Sequence, residues 1–190
     1  MAKPKLALIP AAQGTKLYSV LPSNGSGDFT FTRGSAATRI NAQGLIETVA
    51  NTSSRLNYPL LNGKVVGCPH NLLEPQRINL ITYSESFSNA FWTKNNLSVV
   101  SNNAISPDGT LNASKLVEDT STGHFIRRSG ITVATGKNTM SVFAKSANRD
   151  WILLWNGVDN SGRYFNIKYG YIGSARNSTP ANSSIENYGN

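Results

Sequence analysis

Few residues of this chain carry side chains suited to catalysis. The single cysteine, Cys68, stands two residues from His70 in the run Gly-Cys-Pro-His, and the other histidine, His124, is remote in sequence. A cysteine nucleophile needs a base close in space and a third group that orients this base. Because Pro69 makes a local Cys–His pair awkward, we expect a buried structural thiol beside a turn. A lone cysteine also excludes an intrachain disulfide and a Cys-x-x-Cys metal site.

The carboxylates are also few, ten in all. A glycosidase needs two facing carboxylates, about 5 Å or about 6.5–9.5 Å apart. None of the ten lies in a recognisable catalytic motif, and most fall in predicted turns, where Asp and Glu are ordinary residues. Asp150 and Asp159, in neighbouring predicted loops, are an alternative pair of Ca²⁺ ligands. The favoured interpretation is solvated turn residues, in a protein without enzymatic activity, bound metal or cofactor.

Aromatic side chains offer a different chemistry, because the C–H face of a sugar ring stacks on a flat aromatic ring. Trp151 and Trp155 are four residues apart and share one face of a strand. Both faces of Trp-Ile-Leu-Leu-Trp are apolar, however, which predicts a doubly buried central strand with the two tryptophans in the core. The sequence therefore predicts Trp92, Tyr169 and Tyr171 as the ligand-binding aromatic residues.

Composition favours a mainly β fold. Of the 190 residues, 39% are hydrophobic and only 15% are charged, and Asn, Ser, Thr and Gly make up the difference. These residues form poor helices but suit turns and the solvated faces of strands.

The net charge of +8 suits an acidic partner. Basic residues are spread singly along the chain, and the longest run is the pair Arg127-Arg128. Nucleic-acid binding is disfavoured because a phosphate-tracking groove needs a denser basic patch. Membrane spans are not expected, since no stretch approaches about 18 apolar residues. The apolar run from Leu6 to Ile9 is too short for a signal-peptide core.

Turn residues divide the chain into three parts. Residues 1–28 read as an extended arm, because Pro4, Pro10 and Pro22 punctuate them. This arm lies either along a partner or as an edge strand on its own domain. Residues 29–78 predict a small β-hairpin module, with a strand at 29–33, a hairpin at 38–49 and an irregular linker.

Residues 79–190 predict a jelly-roll-like β-sandwich. A strand begins this part at 78–83, and residues 84–92 predict a short helical turn that lodges Phe87 and Trp92. Short strands then follow at regular spacing with turn signals between them, as in sandwiches and jelly rolls. These strands are predicted at 97–101, 113–118, 124–128, 138–147, 151–155, 163–168 and 171–174.

Several segments resemble tailed-bacteriophage fibre and appendage proteins. The runs Phe29-Thr-Phe-Thr-Arg33, Ala37-Thr-Arg-Ile-Asn41 and Gly44-Leu-Ile-Glu47 are similar to a segment that recurs in phage structural proteins. Asn79-Leu-Ile-Thr-Tyr-Ser-Glu85, with Phe87, Ala90 and Trp92, resembles the beginning of a carbohydrate-binding-type jelly roll. Further matches are Ser106-Pro-Asp-Gly-Thr110, Ala113-Ser-Lys-Leu116, Met140-Ser-Val-Phe-Ala-Lys145 and Arg163-Tyr-Phe-Asn166 followed by Gly173.

The resemblance implies a structural virion protein located in the phage particle, as a head or tail fibre or appendage. Residues 1–50 would anchor it to other capsid or tail proteins, and the sandwich would present a surface for a host glycan. Analogy with fibres also implies a homotrimer. One departure is that the stretch ending at Asn190 usually leads into further closing strands in that family. Either the polypeptide is longer or a second chain supplies them, and we favour the longer polypeptide.

Two other functions remain open at this point. The chain could be a glycan depolymerase or the carbohydrate-binding domain of one, which turnover of a capsule polysaccharide would indicate. It could also be a virion scaffold piece with no ligand.

Overall fold

The computed structural model describes residues 7–13, 16–21, 30–133, 136–178, 180 and 182–188. Within these residues all regular structure is β-strand, which confirms the predicted mainly β class. The strands are β1 Ala7–Gln13, β2 Lys16–Leu21, β3 Ala37–Ile40, β4 Ile46–Val49, β5 Leu56–Asn57, β6 Leu60–Leu61, β7 Lys64–Val65, β8 His70–Asn71, β9 Thr93–Asn95, β10 Leu97–Ala104, β11 Ala113–Glu118, β12 Phe125–Arg127, β13 Trp151–Asn156, β14 Ser161–Asn166 and β15 Tyr171–Asn177.

The strands form small antiparallel sheets and not one large sheet. The two-stranded sheets are β1–β2, β3–β4, β5–β8, β6–β7, β9–β12 and β10–β11, and one three-stranded sheet has the order β13–β14–β15. The jelly-roll sandwich therefore stays a prediction. The chain divides into two compact units, Met1–Ile78 with Asp108–Thr110, and Asn79–Pro107 with Leu111–Asn190. The predicted three-part division also stays a prediction.

The predicted arm contains an antiparallel ribbon. β1 pairs with β2, with Ala11 opposite Tyr18, and the register shifts between Ala7 and Pro10. Pro10 has no backbone N–H to donate, which suits a position beside such an irregularity. A two-stranded ribbon alone is only marginally stable in water. The rest of the predicted arm lies outside the described residues.

The predicted hairpin at 38–49 is present as β3 and β4, with Arg39 opposite Glu47. Asn41 begins its turn, and the side-chain oxygen of Asn41 accepts hydrogen bonds from the backbone N–H groups of Gln43 and Leu45. Gly44 adopts a φ of 82°, which a residue with a Cβ rarely does. The turn chemistry read from the sequence thus sets the register of the hairpin.

Arginine side chains hold the first unit together where apolar contacts are few. The guanidinium of Arg33 donates to the backbone carbonyls of Val49, Ala50 and Ser53. Arg55 donates through Nε and Nη2 to the Thr38 carbonyl, at 2.9 and 2.7 Å, and through Nη1 to Glu74 at 2.7 Å. Arg33 thus serves three backbone acceptors, and Arg55 serves one backbone carbonyl and one carboxylate.

The cores of both units are small. Among the described residues the buried apolar side chains are Val49, Leu56 and Phe165, with exposures of 4%, 3% and 8%. Ser54 and Asn166 are buried polar residues. Many large apolar side chains stay exposed instead, and these include Leu73, Ile78 and Val158.

Three predicted strands are wrong. Residues 30–33, 78–83 and 138–147 are not strands in the structure. Their β propensity reflects packing on a pleated, half-buried surface, and they have no such surface here, as the 55% exposure of Phe143 shows. Cys68 is exposed and is not the expected buried thiol.

The arginine contacts lead to a stability prediction. Replacement of Arg33 by Met keeps the aliphatic length but removes the guanidinium donor from three carbonyls, of which that of Ala50 still accepts the Ser53 backbone N–H. We expect a loss of about 1–2 kcal/mol in the local stability of the hairpin. Hydrogen-exchange mass spectrometry of peptides covering β3 and β4 should show roughly tenfold faster exchange. Arg77→Ala is the matched control, since the exposed Arg77 side chain bonds only to the adjacent Gln76 carbonyl among the described residues. Equal exchange in both variants would contradict the bracing role of Arg33.

A second prediction concerns acid. Partial burial raises the pKa of Glu47, but hydrogen bonds from Asn41 and Arg39 and the charge of Arg39 outweigh this effect. The pKa of Glu47 therefore lies below its ordinary value of 4.5. A lowered folded-state pKa adds stability above the ordinary pKa, and this stability is lost as pH falls through the folded-state value.

Thermal melting followed by circular dichroism tests this linkage. Glu47→Gln should lower the melting temperature at pH 7 and should have a smaller effect at about pH 3, because the Glu47 carboxylate is protonated to a greater extent there. Glu85→Gln removes an exposed glutamate with no ion-pair partner among the described residues and should have no effect at either pH. A Glu47→Gln effect of the same size at both pH values would refute the ionic contribution.

Candidate functional site

One face of the β13–β14–β15 sheet gathers most of its aromatic side chains. Strand register places Trp155, Gly162 and Arg176 in one row across the three strands. It places Trp151, Asn166 and Tyr171 in another row on the same face. We call these six residues, with Gly173, the aromatic face.

Two glycines make room for the tryptophan rings. A Cβ on Gly173 would lie 2.4 Å from Cζ3 of Trp151, so the ring occupies the space above this glycine. A Cβ on Gly162 would lie 3.2 Å from Cδ1 of Trp155. Because neither glycine has a side chain, the rings from β13 extend over the neighbouring strands. The rings therefore lie over the sheet as a broad aromatic surface and do not project from it singly.

In each row, a tryptophan of β13 contacts a side chain of β15, the other edge strand of the sheet. The rings of Trp151 and Tyr171 meet edge to face, with centroids 5.4 Å apart and an interplanar angle of 82°. The guanidinium carbon of Arg176 lies 5.0 Å from the ring centroid of Trp155, which is a cation–π distance. The indole N–H of Trp155 donates to the side-chain oxygen of Asn160 at 3.3 Å.

Asn166 organises the other end of the aromatic face. It is buried, with 2% exposure, and its side-chain N–H donates to the Tyr171 hydroxyl at 3.3 Å. Its side-chain oxygen accepts the Tyr169 backbone N–H at 2.8 Å. Tyr169, in the turn between β14 and β15, is 67% exposed. Buried Asn166 thus fixes the turn that carries the predicted ligand residue Tyr169 and contacts the predicted ligand residue Tyr171.

The acidic groups in the turns of this sheet are already engaged. Asp150 pairs with Lys168 at 3.5 Å. Hydrogen bonds from the Ser161 hydroxyl and backbone N–H hold the pKa of Asp159 below its usual range. These partners, and the separate turns that carry the two carboxylates, do not support a shared Ca²⁺ site. Within the described residues, no group of three or more His, Cys, Asp or Glu is placed to hold a metal ion.

Trp92, the third predicted ligand residue, lies in a separate aromatic cluster. Its ring contacts Phe87 and Phe91, with centroids 5.2 and 5.4 Å away, and its indole N–H donates to the Tyr83 carbonyl at 2.9 Å. Lys94 closes this segment by donating to the Ser88 and Asn89 carbonyls. The predicted helical turn at 84–92 is a series of tight turns in which Phe87 and Trp92 do pack together. Trp92 has a clear structural role there.

The prediction that Trp151 and Trp155 are core residues is wrong. Trp151 is 45% exposed and Trp155 is 42% exposed. The strand is apolar on both faces, but it is an edge strand, and no described element covers the side that carries the tryptophans. Sequence reasoning also missed Arg176 and the two glycines. The signal available for Gly162 was its position opposite Trp155 in the hairpin of β13 and β14, whereas the position of Gly173 under Trp151 depends on the third strand.

Two other clusters of charged side chains form hydrogen bonds and ion pairs within the protein. The cleft of the first unit contains Arg33, Arg55 and Glu74, which are the residues already bonded to carbonyls or to each other. In the second unit, Arg149 donates to Glu118 at 2.7 Å, and His124 lies 3.8 Å from the same carboxylate. Hydrogen bonds from Arg149 lower the pKa of Glu118. The aromatic face is therefore the better candidate for ligand binding.

The aromatic face leads to a structural prediction. Gly173→Ala should displace the Trp151 ring, because the new methyl group would occupy its position. We expect a changed near-ultraviolet circular dichroism spectrum, with far-ultraviolet spectra that show an intact fold. Gly157→Ala is the matched control, since a Cβ there meets no atom within 4 Å. An unchanged near-ultraviolet spectrum for Gly173→Ala would show that Trp151 does not lie over this glycine.

No protein-family model matches the chain, and comparison with curated proteins and with solved structures found no similar protein. In the described residues no helix is long and apolar enough to cross a membrane. The phage-fibre resemblance and the function that it implies therefore stay predictions.

Proposed function

We propose that this protein is a structural virion protein of a tailed phage, a head or tail fibre or appendage, that attaches to a host-surface glycan through the aromatic face. The observation that carries the attachment function is the exposure of Trp151 and Trp155 side by side on one sheet face. Exposed tryptophans bury large apolar area on binding, and their rings favour the C–H face of a sugar.

The dimensions of the aromatic face favour an oligosaccharide over a single sugar. Trp151 and Trp155 are four residues apart in one strand, which corresponds to about 13 Å along it. Tyr171 and Arg176 widen the face across β14. Polar groups that orient a ligand are at hand in the Tyr171 hydroxyl and the Arg176 guanidinium. A few polar groups among aromatic rings are typical of ligand sites.

The burial pattern supports an assembled, structural role. Each unit buries few apolar side chains, and a two-stranded ribbon such as β1–β2 gains stability from a neighbour. Contacts with other virion proteins through residues 1–50 would provide such a neighbour. Several copies in one appendage would also turn weak single sites into firm adhesion. Trimeric assembly remains part of this proposal.

A glycan array probed with the full-length protein tests the attachment function. We expect binding to bacterial surface glycans, reduced about tenfold or more in Trp151→Ala because a stacked ring is lost. Phe125→Ala is the matched control, since Phe125 is also exposed but lies on β12 in another sheet.

Three results would overturn this proposal or redirect it. An array without any binding would refute glycan attachment and would favour a scaffold role. Equal losses in Trp151→Ala and Phe125→Ala would move the site away from the aromatic face. Hydrolysis of a bound glycan would favour the depolymerase alternative.

A further inference from the structure

We propose that the glycan is acidic and that Arg176 binds its carboxylate. This inference rests on the proposed function and assigns the ligand class of the same site. The ligand class is an oligosaccharide that contains uronic acid or another carboxylated sugar. Arg176 would bind the charged group while Trp151 and Trp155 bind the ring faces.

The Arg176 guanidinium is held in place by stacking on Trp155, but its N–H groups have no acceptor among the described residues. It lies over the Trp155 ring, a position open to it because Gly162 between the two strands has no side chain. In the described part of the chain, no carboxylate pairs with Arg176 and no acceptor takes its N–H groups. A planar guanidinium with free N–H groups binds a carboxylate through two parallel hydrogen bonds. Stacking on Trp155 fixes its plane before the ligand arrives.

Most other arginines donate hydrogen bonds to groups within the protein. Arg33 and Arg55 donate to backbone carbonyls, and Arg149 donates to Glu118. Arg163 lies on the opposite face of the same sheet and donates to the Gly173 carbonyl at 3.3 Å. Arg176 therefore differs from these residues in having its donors available on the aromatic face.

The electrostatic surroundings favour an anion. Lys168 and the Ser161 donors already occupy the Asp150 and Asp159 carboxylates in the turns of this sheet. Among the described residues no ion pair neutralises the charge of Arg176, and the chain as a whole carries +8. A basic protein attracts a polyanion and speeds its association. A single-stranded nucleic acid also combines charge with stacking rings, but the singly spread basic residues favour the glycan.

Titration calorimetry with two matched probes tests the inference on the full-length protein. The probes are a tetragalacturonate and its fully methyl-esterified form, which share one backbone and differ in charge. We expect the acid to bind at least about tenfold more tightly than the ester. Arg176→Gln should abolish this difference, because it weakens binding of the acid more than binding of the ester. Arg176→Lys should restore only part of it, because an ammonium cannot form the two parallel bonds.

Arg127→Gln provides the control for charge alone. Arg127 also stacks on an aromatic ring, with its guanidinium carbon 5.2 Å from the Phe125 centroid, but it lies on β12 in a different sheet. This variant loses the same charge and should keep the full preference for the acid. An equal effect of Arg127→Gln and Arg176→Gln would show that only net charge matters and would overturn the assignment.

The remaining outcomes separate this inference from the proposed function. If the acid and the ester bind with equal affinity, and Trp151→Ala weakens both, the proposal of an acidic ligand is wrong. The proposed attachment to a glycan then still stands. A preference that survives Arg176→Gln overturns the role of Arg176. Failure of both probes to bind also overturns the inference, and the glycan array then decides the proposed function by itself. Displacement of the uronate by a single-stranded oligodeoxynucleotide at lower concentration would assign the face to nucleic acid.

Discussion

The shortage of buried apolar surface is the constraint that shapes this protein. Strands of two to eight residues in small sheets cannot cover one another, and the described residues include only three buried apolar side chains. Much of the stability must then come from local hydrogen bonds. In the first unit Arg33 donates to three backbone carbonyls, and Arg55 donates to the Thr38 carbonyl and to the Glu74 carboxylate. In the second unit Lys94 does the same for the turns before β9. Side chains with several donors replace the missing sheet partners.

The same constraint exposes the aromatic face. A three-stranded sheet has one central strand, so only β14 is paired on both edges, and only β14 contains buried residues in this sheet. The tryptophans of β13 are left at the surface, where they gain contact by extending over Gly162 and Gly173. An exposed apolar patch of this kind is unusual unless a partner covers it. Proposing a glycan as the partner explains why Arg176 and Tyr171 stand among the rings.

Asparagine has two separate uses in this chain. Its short amide side chain tolerates the left-handed backbone region, and five asparagines, among them Asn62, Asn96 and Asn160, have φ values from 49° to 56°. Asn41 and Asn166 instead use their side-chain oxygens to hold turns, through the bonds to Leu45 and Tyr169. The high asparagine content thus reflects the many tight turns that short strands require. The turn at Asn166 also positions part of the aromatic face.

By itself the sequence determined what depends on local chemistry. The elements predicted near their observed positions are the hairpin around Asn41 and Gly44 and the strands β10, β11, β13 and β15, because turn residues and side-chain alternation act over a few residues. Tertiary structure decided which strands have partners. Residues 138–147 alternate like a strand yet pair with none, and Trp151 and Trp155 are exposed because no sheet covers them. Arg176 could not be found from its own neighbours in sequence, since its place above Trp155 depends on the register of three strands. Pairing and burial are long-range properties, so a local pattern specifies the strand but not what lies against it.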